Sequence, residues 1–301
     1  MPESSALVLS TKGEHKYVIP DLNVLETIEW LSTRAISDES PNNSNYVFFQ
    51  NSSGLNFIPI SSLASQTPSY SYEAIPTATN MEPKTSVSLL KQFYNIETFT
   101  VPRQFNRLEE MESGLFSSNI IVHDIMNKRY SVGINTYVKN WEDSDHCEKY
   151  PFLPLKNRYS NKANSFTVIK SKHTGLHNDY PESQNPEEWA LKRVSSLKGF
   201  DTLKMKIEIP GNSDIKVGET MNVRVPSSEP LKRQDPYWFD KYLSGKYLIT
   251  SVRHHISILE SREHTSIVEL SRDSISERTP DVSTFMGTGS SDSGNNGDIV
   301  R

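Results

Sequence analysis

A change of hydrophobic period near Gly199 constrains this chain more than any other feature of its 301 residues. From Asn185 to Gly199 the pattern is helical, with Ala190, Val194 and Leu197 on one stripe and Trp189 beside it. Asn185 is a favoured N-cap, and Pro186 suits the first helical position, where a missing N–H costs nothing. Glu187 and Glu188 lie in the first turn, against the positive end of the helix dipole. Gly199 is the expected stop, as a residue free to take positive φ. The period then becomes two. Leu203, Met205, Ile207 and Ile209 alternate with Lys204, Lys206 and Glu208 across Thr202–Ile209. Pro210-Gly211-Asn212-Ser213 and Gly218-Glu219 read as turns. Met221, Val223 and Val225 mark a second strand, and Lys246–Ser257 and Thr265–Ser271 a third and fourth, the last two joined by the polar link Leu259–His264. Each aliphatic side chain fully buried on such a sheet contributes roughly 1.5–3 kcal/mol. The alternation secures a sheet; it brings no pair of reactive groups together.

Charge balance narrows the function classes. With 32 basic and 37 acidic residues the net charge is −5, which gives no bulk attraction for nucleic acid. Cys147 is the single cysteine, so neither an internal disulfide nor a cysteine-based metal cluster is available. Met1–Ser5 lacks a basic leader segment, and the Ala6–Leu9 run is too short for a signal or a membrane span. The expectation is a soluble protein made in the cytoplasm and not inserted in a membrane.

Upstream, Leu7-Val8-Leu9 and Tyr17-Val18-Ile19 are short candidate strands. Asp21 is the expected cap of a helix running to about Ile36, with Leu22, Leu25, Ile28, Leu31 and Ala35 on one face. Tyr46–Gln50 and Leu55–Ile60 read as a hairpin across Asn51–Gly54. Residues 64–83 read as a Ser-, Thr- and Pro-rich connector. Asn95–Val101 and Tyr130–Val138 have strand-like alternation, Phe105–Glu112 looks helical, and Ser118–Asp124 is either a strand or a helix end. Lys139–Pro186 shows little periodicity beyond aromatic anchors such as Trp141, Tyr150 and Tyr180. Gly287–Arg301 is polar and is expected to be disordered.

No constellation in the sequence carries chemistry. His173 and His177 stand four apart, as metal ligands on a helix do, but Gly175 lies between them and no HExxH frame is present; they read as loop histidines. Asp143, Asp145, His146 and Cys147 are a polar group without the spacing or glycine of a calcium loop. His254 and His255 are neighbours in a strand, so one should face the core and the other should face outward. Lys232-Arg233 with Tyr237-Trp238-Phe239 suits single-stranded nucleic acid or a protein interface, and the negative net charge favours the latter. The sequence contains no nucleophile elbow and no phosphate-cradling loop. The chain is therefore read as a non-enzyme, with no catalytic, cofactor-binding or metal-ligating residues and no cofactor.

Several segments carry a resemblance. Trp30-Leu31-Ser32-Thr33-Arg34-Ala35, Tyr46–Asn51 and Gly54–Leu63, then Ile215–Glu219, Leu243–Thr250, Val252–His255 and Thr265–Leu270, resemble the central baseplate hub proteins of T-even-type contractile-tailed phages. These are related to the base of type VI secretion spikes. The resemblance implies an α+β fold: an antiparallel, barrel-like tube domain with a flanking helix (residues 88–134 and 186–275) and an interleaved α/β accessory domain (15–87 and 135–185). A polar tail follows at 276–301. It also implies a structural role in the virion baseplate, assembled in the host cytoplasm, as a homotrimer between the tail tube protein and the central spike protein. DNA would pass through its lumen without specific binding.

Hubs of this kind carry a further tube domain ahead of the position of the Asp21 helix, where this chain has only Met1–Pro20. The expectation is that a separate polypeptide supplies that domain or that this is a shortened hub. Two rival readings accompany this one. A tube initiator or baseplate cap with one tube domain would be hexameric. A tail-associated cell-wall hydrolase would need converging carboxylates, for which Glu187 or Glu188 with Asp240 are the candidates.

Overall fold

The alternating strands after Gly199 become the middle of one curled sheet. The computed structural model describes residues 6–13, 17–39, 43–75, 92–103, 106–152, 166–172, 185–228, 238–258 and 263–278. In chain order the first elements are β1 (Ala6–Val8), α1 (Val24–Ser32), β2 (Tyr46–Asn51), β3 (Gly54–Pro59), α2 (Ile60–Ser65) and β4 (Tyr70–Glu73). Next come β5 (Thr98–Arg103), α3 (Arg107–Glu112), β6 (Ser118–Asp124), β7 (Arg129–Asn135), α4 (Tyr137–Glu142), β8 (Tyr150–Pro151) and β9 (Phe166–Lys172). The last are α5 (Pro186–Phe200), β10 (Leu203–Pro210), β11 (Thr220–Arg224), β12 (Gly245–Ser257), β13 (Glu263–Arg272) and β14 (Ser274–Ile275). The fold is mixed α+β and mostly sheet, with the largest sheet curled into a half-barrel.

That sheet has six strands in the order β4-β11-β12-β13-β10-β5. Its register puts Met205 opposite Leu270 and Ile207 opposite Val268, so the apolar positions of neighbouring strands share one face. Leu203, Met205, Ile207, Ile209, Met221, Val223, Tyr247, Ile249, Val268 and Leu270 are all buried there, while Lys204 and Lys206 are exposed on the other face. A bulge between Ile249 and Ser251 shifts the pairing of β12 with β13. The sheet is antiparallel except at one edge, where β4 runs parallel to β11. Residues 64–83, expected to be a connector, thus supply a strand.

Smaller sheets flank this one. β1 pairs parallel with β3, which forms the expected hairpin with β2. β7, β6 and β9 form a second three-stranded sheet, in which Ile120 and Val122 pack under Ala190 and Leu191 of α5. Hydrogen bonding therefore joins the two expected domains, through β4–β11, β6–β9 and β8–β14.

Helix ends differ from expectation in four places. Asn23, not Asp21, caps α1: its Oδ1 accepts from Glu26 N–H and Glu26 Oε2 accepts from Asn23 N–H, each at 3.0 Å, a complete capping box. That helix stops at Ser32, short of Ile36. At α5, Asn185 occupies the N-cap without a capping side-chain bond, and the helix runs through Gly199 to Phe200. Phe200 is the reason. Its ring is buried with Ile58, Leu63, Ala64, Cys147 and Leu248, and that burial extends the last turn beyond the glycine.

Candidate functional site

Open strand edges are the feature of this fold that most directly suits an interaction. β11 covers β12 only from Gly245 to Leu248, with two further backbone bonds at Ile249. Beyond that point β12 continues to Ser257, paired with β13 on one side and, among the described residues, with no strand on the other. Ile256 and Ile258 are exposed along this projection. β5 is the opposite edge of the sheet, and Phe99 is partly exposed there. Unpaired edges of this kind template pairing with another chain. On the outer face, a groove of about 480 Å³ runs between the end of α5 and β10, bordered by Lys198, Lys204, Lys206 and Glu269. Asp201 also lines it and is engaged by Lys204, whose Nζ lies 2.6 Å from Asp201 Oδ1.

A buried polar cluster holds the segment around α4 to the end of β13. Asp273 Oδ2 lies 2.6 Å from His146 Nδ1, and its Oδ1 accepts from Cys147 N–H (3.1 Å) and Ser274 Oγ–H (2.7 Å). Burial works against charge on both partners. For His146 it is outweighed by the contact with Asp273 and by the Trp141 carbonyl, so the imidazole sits above its ordinary pKa. For Asp273 it is outweighed by His146 and by the Ser274 and Cys147 hydrogen bonds, so the carboxyl sits below its own. The Trp141 ring stacks on the imidazole at 3.5 Å. Arg272, fully buried, stands 4.5 Å from the Tyr247 ring centroid and donates to the Ser244 carbonyl at 3.0 Å; among the described residues its Nε and Nη2 have no hydrogen-bond partner. Burial pushes the Tyr247 hydroxyl up to about 12 and lowers the Arg272 guanidinium.

The polar group foreseen at residues 143–147 is therefore split. His146 and Cys147 turn inward to Asp273, while Asp143 and Asp145 are exposed. Burial raises the Cys147 thiol well above its ordinary value, which keeps it protonated and unreactive. His254 and His255 are both exposed; His254 lies on the face of the buried Ser266, 3.0 Å from its Oγ, but neither imidazole enters the core as expected. Glu187 accepts from Ser131 Oγ–H at 2.6 Å, and Asp240 Oδ1 caps the Tyr242 and Leu243 N–H groups at 2.8 Å, so the two serve separate networks. The Glu188 side chain, His173, His177, Lys232, Arg233 and Tyr237 lie outside the described residues, as does the tail from residue 279. Phe239 forms a bridge with Pro226, and the Arg224 guanidinium stands 5.5 Å from its ring. Among the described residues no group of three or more His, Cys, Asp or Glu is placed to hold a metal ion, and no helix is long and apolar enough to cross a membrane.

The chain matches no protein-family model. No curated protein is significantly similar to it.

Proposed function

We propose that this chain is a structural subunit of a contractile-tail baseplate, a hub protomer that joins tail tube to central spike and performs no catalysis. One observation carries the reading beyond the sequence likeness. Segments that carry the resemblance lie far apart in the chain and pack together. Asn51 Nδ2 donates to the Val217 carbonyl at 3.2 Å, and Lys216 Nζ to Ser53 Oγ at 3.0 Å. Gly218 takes φ +90°, and a Cβ there would lie 2.6 Å from the Phe49 ring. Ile58 and Leu63 share a buried cluster with Leu248. The hairpin at 46–63 is thus seated on the turn that opens β11 and on the start of β12.

The mechanism on this reading is geometric. Among the described residues the half-barrel leaves β5 and the outer part of β12 open, so copies of the chain close a ring through a heterologous contact that rotation completes. Residues 88–134 and 186–275, which supply five of the six strands of the curled sheet, are the tube module, and the β1–β3–β2 sheet with α1 belongs to the accessory part beside the spike. Reconstitution with the tube and spike proteins of the same tail, viewed by electron microscopy, tests the proposal. The expected product is a ring seated at one end of the tube and bound to the spike. Tubes and spikes that assemble without incorporating this chain overturn it.

A further inference from the structure

Beyond the point where the core ends, the inner face of the β12–β13 hairpin carries two histidines that converge. His254 is paired with Ser266 and His264 with Ile256, so the two imidazoles are diagonal neighbours on one face. His264 Nε2 lies 3.4 Å from His254 Nδ1, and the ring centroids are 5.4 Å apart. That gap is longer than the roughly 2.7–3.2 Å of an ordinary hydrogen bond from an N–H donor. It does match another geometry. Two imidazole nitrogens, each about 2.0–2.1 Å from one tetrahedral zinc ion, stand about 3.3–3.4 Å from each other.

We propose that His254 Nδ1 and His264 Nε2 form a two-point site for a divalent transition cation of the zinc class. Both rings are held before any metal arrives. Gly211 lies against the His264 ring so closely that a Cβ at that position would collide with it, and Gly211 N–H donates to the His264 carbonyl at 2.7 Å. Ser266 Oγ, itself buried and accepting from Asn212 N–H at 3.0 Å, is free to donate to His254 Nδ1 at 3.0 Å. In the tautomer with Nδ1 unprotonated that hydroxyl meets the same lone pair a metal ion would take, so the ion displaces this contact. Imidazole is the ligand type that zinc, copper and nickel prefer over magnesium or calcium. Water completes the coordination, since no third His, Cys, Asp or Glu among the described residues joins the two. His255 is excluded because its neighbour's parity sends it to the opposite face. A bound ion clamps β12 to β13 along the stretch of β12 that, among the described residues, has no strand on its other side. The inference is independent of the tail-hub reading.

Calorimetric titration of the full chain, stripped of metal, with zinc chloride tests it. The expected result is one ion per chain, with affinity lowered about tenfold or more by either His254→Gln or His264→Gln and unchanged by His255→Gln. Binding should also weaken on acidification, because protons compete for the same nitrogens. Nitrogen-15 spectra of the unaltered protein provide a second readout that needs no variant: the His254 Nδ1 and His264 Nε2 resonances should move together on zinc addition. No binding at millimolar zinc overturns the site. So does a loss of affinity in His255→Gln equal to that in His264→Gln, or a titration that leaves both resonances in place.

Discussion

His146 Nδ1 lies 2.6 Å from Asp273 Oδ2, joining residues 127 apart in sequence, and His146 Nε2 lies 3.0 Å from the Trp141 carbonyl. Both ring nitrogens therefore face acceptors, which is the arrangement an imidazolium satisfies. The pair sets a pH window. The folded pKa of His146 is raised above its ordinary 6.5, so its contribution is complete below 6.5 and fades as pH rises through the folded value. The folded pKa of Asp273 is lowered from its ordinary 3.8, so its contribution is complete above 3.8 and fades as pH falls through the folded value. Urea denaturation across pH should show a stability plateau between those two ordinary values with a decline on each side. In His146→Gln the alkaline decline should flatten; a wild-type profile that rises steadily from pH 6 to 8 contradicts the assignment.

Removing one member of this pair should do more harm than the pair is worth. Asp273→Ala strands a buried imidazolium and two donors, and should destabilise by about 3–5 kcal/mol. His146→Leu combined with Asp273→Ala should cost less than the two single changes added together, with a coupling of about 0.5–3 kcal/mol. Strict additivity in denaturation midpoints shows that the two side chains are not partners.

The Gly218–Phe49 contact separates a backbone effect from a steric one. Gly218→Ala introduces a side chain at φ +90°, 2.6 Å from the Phe49 ring. It should destabilise by about 1–3 kcal/mol for the backbone alone, with the clash added. In a Phe49→Leu background the clash should be relieved and the backbone part should persist. Equal losses in both backgrounds mean that the ring does not sit on Gly218.

Charge placed in the sheet core should abolish folding. Ile249 is 1% exposed and Val268 is fully buried, and they sit on adjacent strands within one cluster. Ile249→Asp or Val268→Asp buries an unpaired carboxylate, whose desolvation exceeds what the fold can absorb. Circular dichroism and solubility report the outcome. A soluble, sheet-rich variant contradicts the packing described above.

The legible part of this fold was the part where chemistry and period agree. β10 alternates aliphatic with polar residues and its burial follows that alternation, whereas β12 buries Tyr247, Leu248 and Ile249 in succession and exposes Arg253 to Ile256, and β13 ends on three buried residues. β4 was not legible, because four residues, Tyr70 to Glu73, are too few to show a period, and their partner β11 lies far along the chain. The end of α5 was misjudged because a local rule about glycine competes with the burial of Phe200, a tertiary contact no local pattern encodes. The clasp of His146 on Asp273 was missed for the same reason: each sits in a polar stretch, and only the fold brings them together. The exposure of both His254 and His255, where β12 runs past the core, was not legible, whereas the parity that puts them on opposite faces was readable. His264 was not, because it reads as part of the link that follows Ser257, whereas β13 already begins at Glu263.

The central claim, a ring-forming hub subunit, is tested most directly by the mass of the purified protein in solution. Light scattering should be run on the chain alone and with the central spike protein of the same tail. The account predicts a trimer of 34.2 kDa chains that captures the spike. A hexamer that leaves the spike free contradicts it and favours a tube initiator; a monomer that binds neither spike nor tube contradicts any ring-forming role.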